Sequence, residues 1–214
     1  MNEQEVLNYS DEEVIKRIIK LTEGLANFWK SSHGWAPIKA SDLMSKSRLD
    51  WQASLARTLN LFRCDKAQEE DGALILAWAT LGSLVEGTLK LFLSVWYNDY
   101  EHTTTKTSLK GFEDTKGDLI EPDILMLEKL RLFFDKEIYP ADIQKIWDEE
   151  GRLNIIEWIQ KIQYKRNAIH AYKHRDIGSF KEFFNELRNY LIFMRRLTDT
   201  FPYPDDMMYK PTEI

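Results

Sequence analysis

Residues 72–97 read GALILAWATLGSLVEGTLKLFLSVWY, and they form the most apolar stretch of this 214-residue chain. A helix of about 20 apolar residues can cross a bilayer, so the length of the stretch raises that question. We expect the central helix of a bundle instead, because Glu86 and Lys90 lie in its middle and small residues interrupt it. Gly82 and Gly87 are then expected to mark close packing between helices.

The composition favours helices over strands along the whole chain. Hydrophobic residues make up 43% of the sequence, whereas only nine Gly and six Pro are present to form the turns that a many-stranded fold needs. At this length one core is expected. We therefore predict a single all-α domain over residues 1–214, in which residues 1–71 form additional N-terminal helices.

The predicted cellular context is the cytoplasm, with no membrane partner. Cys64 is the only cysteine, which excludes an intramolecular disulfide and a zinc site built from cysteines of one chain. The acidic beginning of the sequence, MNEQEVLNYSDEE, lacks the pattern of a secretory signal.

Helix-start signals divide the N-terminal part into two helices. Ser10 and Glu13 form a capping-box pattern that begins a first helix. A second helix is predicted over residues 41–63, and its inner side is expected to carry Met44, Trp51, Leu55, Leu59 and Phe62.

A long polar loop is predicted to interrupt the core region, residues 72–201. It covers residues 99–121, which are threonine-rich and lack helical periodicity. Pro122 suits the first turn of the next helix, and Pro140 separates that helix from a short one that runs through Trp147. The inward side of the helix after Pro122 is predicted to comprise Ile124, Leu127, Leu130 and Phe134. Residues 202–214 are expected to form an irregular tail.

The most informative helix is predicted to begin at the capping pair Asn154 and Glu157 and to run to about residue 172. Successive α-helical residues are about 100° apart, which places Arg166 within the apolar sector and His170 about 40° from it. The isoleucines of that sector are Ile155, Ile159, Ile162 and Ile169. A last long helix is predicted after the cap formed by Ser179 and Glu182.

Two interpretations of this arginine and histidine stay open. A buried arginine needs a compensating anion, so Glu86 could neutralise Arg166 inside the core, with His170 as a core histidine. Alternatively, arginine binds a phosphate in bidentate fashion and histidine transfers protons near neutral pH. The second interpretation fits the local charge, because residues 158–175 contain no acid although the whole chain has a net charge of −6.

The stretch KRNAIHAY at 165–172 resembles the signature of HEPN-domain proteins, in which Arg, often followed by Asn, precedes a His. The family pattern has four to six residues between Arg and His, whereas three separate Arg166 from His170 here and four separate Lys165 from it. The polar glutamate of the central helix is a further similarity. The resemblance implies a HEPN-like helical bundle over the core region.

The resemblance also implies a metal-independent endoribonuclease that works as a homodimer in bacterial toxin–antitoxin or phage-defence systems, without a cofactor. In this interpretation Arg166 holds the scissile phosphate and His170 transfers protons. Supporting roles fall to Asn167, Glu86 and Tyr172, and contacts with the RNA backbone fall to Lys165, Lys173 and Arg175.

Other interpretations of the motif are a non-catalytic module that binds RNA, a nucleotide or a protein partner, and a purely structural bundle. A metal site is not expected, although His170 and His174 are four residues apart, because the neighbouring charges are cationic.

Overall fold

The computed structural model describes residues 3–103, 111–137, 154–204 and 210–213. Within these ranges the chain is helical and has no β-strand; its one extended pairing is an isolated antiparallel bridge between Glu113 and Leu119. The predicted all-α class is therefore confirmed. The α-helices are α1 (Glu3–Leu7), α2 (Asp11–Trp29), α3 (Ile38–Lys46), α4 (Leu49–Thr58), α5 (Asp65–Gln68), α6 (Asp71–Val95), α7 (Tyr97–Thr103), α8 (Leu127–Glu137), α9 (Ile155–Arg166) and α10 (Phe180–Asp199).

Helix α6 lies at the centre of the bundle, as its apolar sequence predicts. It packs against α3, α4, α8, α9 and α10, and most of its side chains between Leu74 and Val95 are buried. By length and composition it is also the one helix of the described ranges that could cross a membrane, and half of its most apolar 18-residue window is buried within the protein.

Three of the long helices begin where their capping residues predict. The side chains of Ser10, Asn154 and Ser179 each accept a hydrogen bond from the backbone N–H three residues later, at 3.2, 3.2 and 3.3 Å. Each bond satisfies one of the N–H groups that a helix leaves without a partner at its beginning.

The predicted single helix over residues 41–63 is wrong, because two helices and a 3-10 turn occupy this region. Ser47 adopts an extended backbone between α3 and α4, and a 3-10 helix, Leu59–Arg63, follows α4. The break changes which face of α4 points inward, so Trp51 is 60% exposed rather than buried, and the Arg48 guanidinium covers its ring at 3.9 Å. Met44, Leu59 and Phe62 are buried as predicted.

The region after α6 differs from the prediction at both of its ends. Helix α7 extends to Thr103, so the beginning of the predicted loop is helical. At the other end, Pro122–Ile124 is a 3-10 helix and α8 begins only at Leu127, which leaves Ile124 71% exposed. The buried positions of α8 include Leu127, Leu130 and Phe134, as predicted. The predicted short helix through Trp147 lies outside the described residues.

One continuous cluster of buried side chains runs from Val6 in α1 to Phe201 after α10. Residues 202–204 and 210–213 are not helical, and the irregular tail over residues 202–214 stays a prediction. Residues 210–213 nevertheless pack on the helices, because the Glu213 carboxylate contacts Arg17 of α2 and Arg195 of α10. The separation of N-terminal helices from a core beginning at residue 72 stays a prediction.

Candidate functional site

The motif helix ends earlier than its sequence predicts. Helix α9 stops at Arg166, residues Asn167–His170 form a 3-10 helix, and Ala171 adopts a left-handed conformation with φ of 49°. We call residues 167–171 the motif turn. One α-helical step and three 3-10 steps separate Arg166 from His170 by about 100° around the axis, rather than about 40°. The predicted alignment of the two side chains on one stripe is therefore wrong.

The early end of α9 also changes which motif residues are buried. Ala168 is buried, whereas Ile169 and His170 are exposed. The placement of Ile169 on the buried stripe is thus wrong, and so is the interpretation of His170 as a core histidine. Asn167 closes the helix: its backbone N–H bonds to the carbonyl groups of Gln163 and Lys165.

Arg166 pairs with Glu86 of α6, as one of the two interpretations predicts. Its Nη1 lies 2.7 Å from Glu86 Oε2. The pair is not sealed inside the core, because 30% of the Arg166 side chain and 18% of the Glu86 side chain are exposed. A guanidinium has five N–H donors in a planar fork, and this single bond leaves room for a further acceptor at the surface.

Gly82 allows Arg166 to take this path. A Cβ atom at position 82 would lie 2.6 Å from Arg166 Cδ and 2.8 Å from its Cβ and Cγ. The arginine stem therefore lies directly on the backbone of α6 and extends along it toward Glu86, one helical turn further on. The sequence indicates close packing at Gly82, but it does not show that the packed group is the motif arginine.

Lys90 completes the site on the α6 side, and sequence reasoning did not assign it a role. Its Nζ lies 2.9 Å from Glu86 Oε1 and donates to the Asp123 carbonyl oxygen at 3.0 Å. Each oxygen of Glu86 thus faces one cation, and the three side chains carry a net charge of +1. The four-residue spacing of Glu86 and Lys90 on one helix could have predicted this contact.

Lys165, the neighbour of Arg166, faces the opposite way. It is 5% exposed, and its Nζ lies 3.4 Å from Glu182 Oε2 and 5.7 Å from the centre of the Trp78 ring. Asp176 lies further off, at 3.8 Å. This burial speaks against the predicted contact of Lys165 with an RNA backbone.

Lys165 belongs to an ion-pair network that joins α9 to α10. Lys161 Nζ lies 2.7 Å from Glu186 Oε1 and 3.0 Å from Glu182 Oε1. The buried Glu186 also accepts hydrogen bonds from Trp158 Nε1 and Asn189 Nδ2, both at 2.8 Å. Burial raises the pKa of the Glu182 carboxyl, but the hydrogen bond from Lys161 and the charges of both lysines hold that pKa below its ordinary value. We define the α9–α10 seam as Trp158, Lys161, Lys165, Glu182, Glu186 and Asn189.

The remaining predicted site residues lie after the motif turn. Tyr172 is 99% exposed and Lys173 is exposed, whereas Arg175 is partly buried with its guanidinium 5.1 Å from the centre of the Tyr164 ring. The structure therefore places six of the predicted residues at the surface or partly exposed around the motif turn. They are Arg166, Asn167, His170, Tyr172, Lys173 and Arg175.

Within the described residues, no group of three or more His, Cys, Asp and Glu side chains is arranged to hold a metal ion. The chain matches no protein-family model, no curated protein and no solved structure. The similarity to HEPN proteins therefore rests on the motif and the helical class.

Proposed function

We propose that this protein is a metal-independent endoribonuclease of the HEPN type, active at the motif turn. The observation that carries the proposal is the state of Arg166. Its guanidinium is held by Glu86 at 2.7 Å while 30% of the side chain stays exposed, and the exposed His170 follows within the motif turn. An anion can therefore reach both side chains from solvent.

The chemistry assigns a separate role to each group. His170 accepts the proton of a ribose 2′-hydroxyl, whose oxygen attacks the adjacent phosphorus to form a 2′,3′-cyclic phosphate. The bond from phosphorus to the 5′-oxygen of the next nucleotide breaks, and that oxygen takes up a proton from water. Arg166 stabilises the charge that develops on the phosphorus oxygens, and Glu86 fixes its direction. The backbone N–H of Asn167 bonds to carbonyl groups at the end of α9, and this contact fixes where the motif turn begins. Lys173 and Arg175 attract the RNA backbone.

The proposal includes a homodimer in which the motif turns of two copies meet. Within one chain, Arg166 and His170 point about 100° apart. Ile169 is exposed beside them and Tyr172 is 99% exposed, and a second copy would cover such apolar groups. The proposed setting is the bacterial cytoplasm, with toxin–antitoxin or phage-defence activity and an antitoxin as protein partner; it rests on the resemblance alone.

The test is cleavage of RNA in the presence of EDTA. We expect wild type to cleave, His170→Ala to lose about 10²- to 10⁴-fold in rate, and Arg166→Ala to lose a similar factor. His174→Ala is the matched control, because His174 is also exposed but lies beyond the motif turn, and it should cleave like wild type. Cleavage that requires a metal, or equal cleavage by wild type and His170→Ala, would contradict the proposal.

The alternative is a non-catalytic module that binds RNA, a nucleotide or a protein partner at the same surface. The observation that favours it is the neutralisation of Arg166 by Glu86, together with the three-residue spacing of the motif. RNA binding without cleavage would select this alternative. The affinity of the protein for RNA should fall as salt is raised. The variants Lys173→Ala and Arg175→Ala should bind RNA more weakly than wild type.

A further inference from the structure

Trp51 and Tyr164 are exposed aromatic side chains that each lie under an arginine, but the two arginines differ in their partners. Trp51 of α4 is 60% exposed, with Arg48 over its ring at 3.9 Å. Both carboxylate oxygens of Asp50 accept hydrogen bonds from Arg48, at 2.8 and 2.6 Å, so that charge is compensated. Tyr164 of α9 is 44% exposed, although the Arg175 guanidinium lies 5.1 Å from its ring centre.

The charge of Arg175 is free to bind a ligand. Among the residues that the structure describes, no carboxylate lies within ion-pair distance of Arg175 or of Lys173. The acid that follows in the sequence, Asp176, is engaged elsewhere. Its Oδ1 accepts a hydrogen bond from the Gly178 N–H at 2.9 Å, and its Oδ2 lies 3.8 Å from Lys165 Nζ. The ring under Arg175 therefore lies beside a positive charge that no ion pair within the described ranges compensates.

Tyr164 lies on the side of α9 toward which His170 points. Two α-helical steps separate Tyr164 from Arg166, and one α-helical and three 3-10 steps separate Arg166 from His170. These steps place His170 about 60° from Tyr164 and about 100° from Arg166, in the sector between them. The exposed ring is thus next to the proposed proton acceptor.

An exposed ring with an uncompensated guanidinium beside it matches the two parts of one nucleotide. Every base has a flat π face that can stack on an aromatic ring, and arginine binds the phosphate that the same nucleotide carries. The base has to be unpaired and unstacked, which excludes the interior of an RNA duplex. Residues 158–175 contain no acid, and this local charge is complementary to the phosphates of RNA.

We propose that Tyr164 and Arg175 form a binding subsite for one unpaired nucleotide of an RNA substrate. The base stacks on the Tyr164 ring, and Arg175 contacts the phosphate of the same nucleotide. The choice of RNA rests on the proposed ribonuclease function, which by itself gives Tyr164 no role. The subsite selects a strand with an unpaired nucleotide beside the scissile phosphate and holds that strand next to His170.

The test measures binding, so that it does not depend on cleavage. The probe is a fluorescent single-stranded RNA with 2′-O-methyl groups, which lacks the hydroxyl that attacks phosphorus. We expect Tyr164→Leu to weaken binding of this probe by about 5- to 100-fold, whereas Tyr164→Phe keeps the stacking face and should bind like wild type. Trp51→Leu is the matched control, because it also removes an exposed ring that lies under an arginine, and it should bind the probe like wild type.

The salt dependence of binding separates the two parts of the subsite. The slope of log affinity against log salt should be the same in Tyr164→Leu as in wild type, because stacking of a base releases no counterions. In Arg175→Ala the slope should become shallower by about 0.7, the value for one phosphate contact with a single strand. A duplex of the same sequence should bind equally well to wild type and Tyr164→Leu, because its bases cannot reach the ring.

Absence of probe binding by wild type, or undiminished binding by Tyr164→Leu, would overturn the subsite even if wild type cleaves RNA. Binding that depends on Tyr164 without any cleavage would support the subsite and contradict the proposed ribonuclease. A wild-type dimer that Tyr164→Leu dissociates, seen by analytical ultracentrifugation, would show that the ring contacts a second copy of the chain and would also overturn the subsite.

Discussion

Lys165 and Arg166 are neighbours on α9, yet the charge of Lys165 is buried and that of Arg166 stays partly exposed. Lys165 is 5% exposed and belongs to the α9–α10 seam, where carboxylates of α10 compensate it. Arg166, about 100° further around the helix, meets α6 and keeps 30% of its side chain exposed. A basic run in the sequence is therefore not a basic surface, because the helix distributes its cations among different neighbours.

Two glutamates, Glu186 and Glu86, differ in the same way as these two cations. Glu186 is buried in the seam and accepts bonds from three side chains, those of Trp158, Lys161 and Asn189. Glu86 lies between Arg166 and Lys90 near the surface. We therefore expect the α9–α10 seam to stabilise the fold, and the contacts among Arg166, Glu86 and Lys90 to serve the candidate functional site.

Loss of Glu186 should have the largest effect. Glu186→Ala leaves Lys161 and the Trp158 N–H without their closest acceptor, and we expect it to lower the free energy of unfolding by about 3 kcal/mol. Glu86→Ala should lower it by about 1 kcal/mol, because solvent reaches both of its partners. Urea unfolding of the two variants measures the difference. Equal losses of unfolding free energy would contradict the distinction between the α9–α10 seam and the Arg166–Glu86 contact.

A methyl group at position 82 should have the next largest effect. Gly82→Ala forces Arg166 away from α6, and we expect a loss of about 2 kcal/mol together with a loss of the Arg166–Glu86 contact. Gly72→Ala, on the same helix but in open space, should leave stability unchanged or raise it by up to about 1 kcal/mol. Thermal unfolding of both variants measures this difference. Similar shifts in melting temperature would show that the packing of Arg166 does not require glycine at position 82.

Acid should weaken the seam by a smaller amount. The pKa of Glu182 is lowered in the fold, so its stabilising contribution is complete above the unfolded pKa of about 4.3 and is lost as pH falls through the lower folded pKa. Lys161→Met should therefore make the fall in melting temperature below that pH shallower. Lys16→Met is the control, since Lys16 is well exposed and 3.8 Å from Glu13, and it should keep the wild-type profile. Identical profiles for all three proteins would contradict the role of Lys161.

The smallest expected effect is a gain at the motif turn. Ala171 has a φ of 49°, which glycine adopts without steric cost, so Ala171→Gly should stabilise the fold by about 0.5 kcal/mol. The same substitution at Ala168, within the 3-10 helix, should destabilise it by about 0.5–1 kcal/mol. Unfolding free energies of opposite sign support the turn as described, and a loss at both positions would contradict it.

The sequence predicts what depends on local chemistry. The caps at Ser10, Asn154 and Ser179 follow from the preference of a helix start for an oxygen acceptor, and all three are confirmed. The contact of Arg166 with Glu86 follows from the need of a partly buried cation for an anion.

Other features depend on contacts between distant segments, and no periodicity shows them. The exposure of Trp51 follows from the break before α4, and the burial of Lys165 follows from the position of α10. The end of α9 at Arg166 also has no signal in the sequence, because no glycine or proline follows it until Gly178. The divergence of His170 from Arg166 therefore could not be predicted.

The contact between Gly82 and the arginine stem also bears on how this protein can change during evolution. A side chain at position 82 and a long side chain at position 166 exclude each other, because both would occupy the same space against α6. Descendants of this sequence should therefore keep glycine at 82 for as long as they keep arginine at 166. A lineage that gains alanine at 82 is expected to carry a short residue at 166, and therefore to lose the phosphate contact that we propose for Arg166.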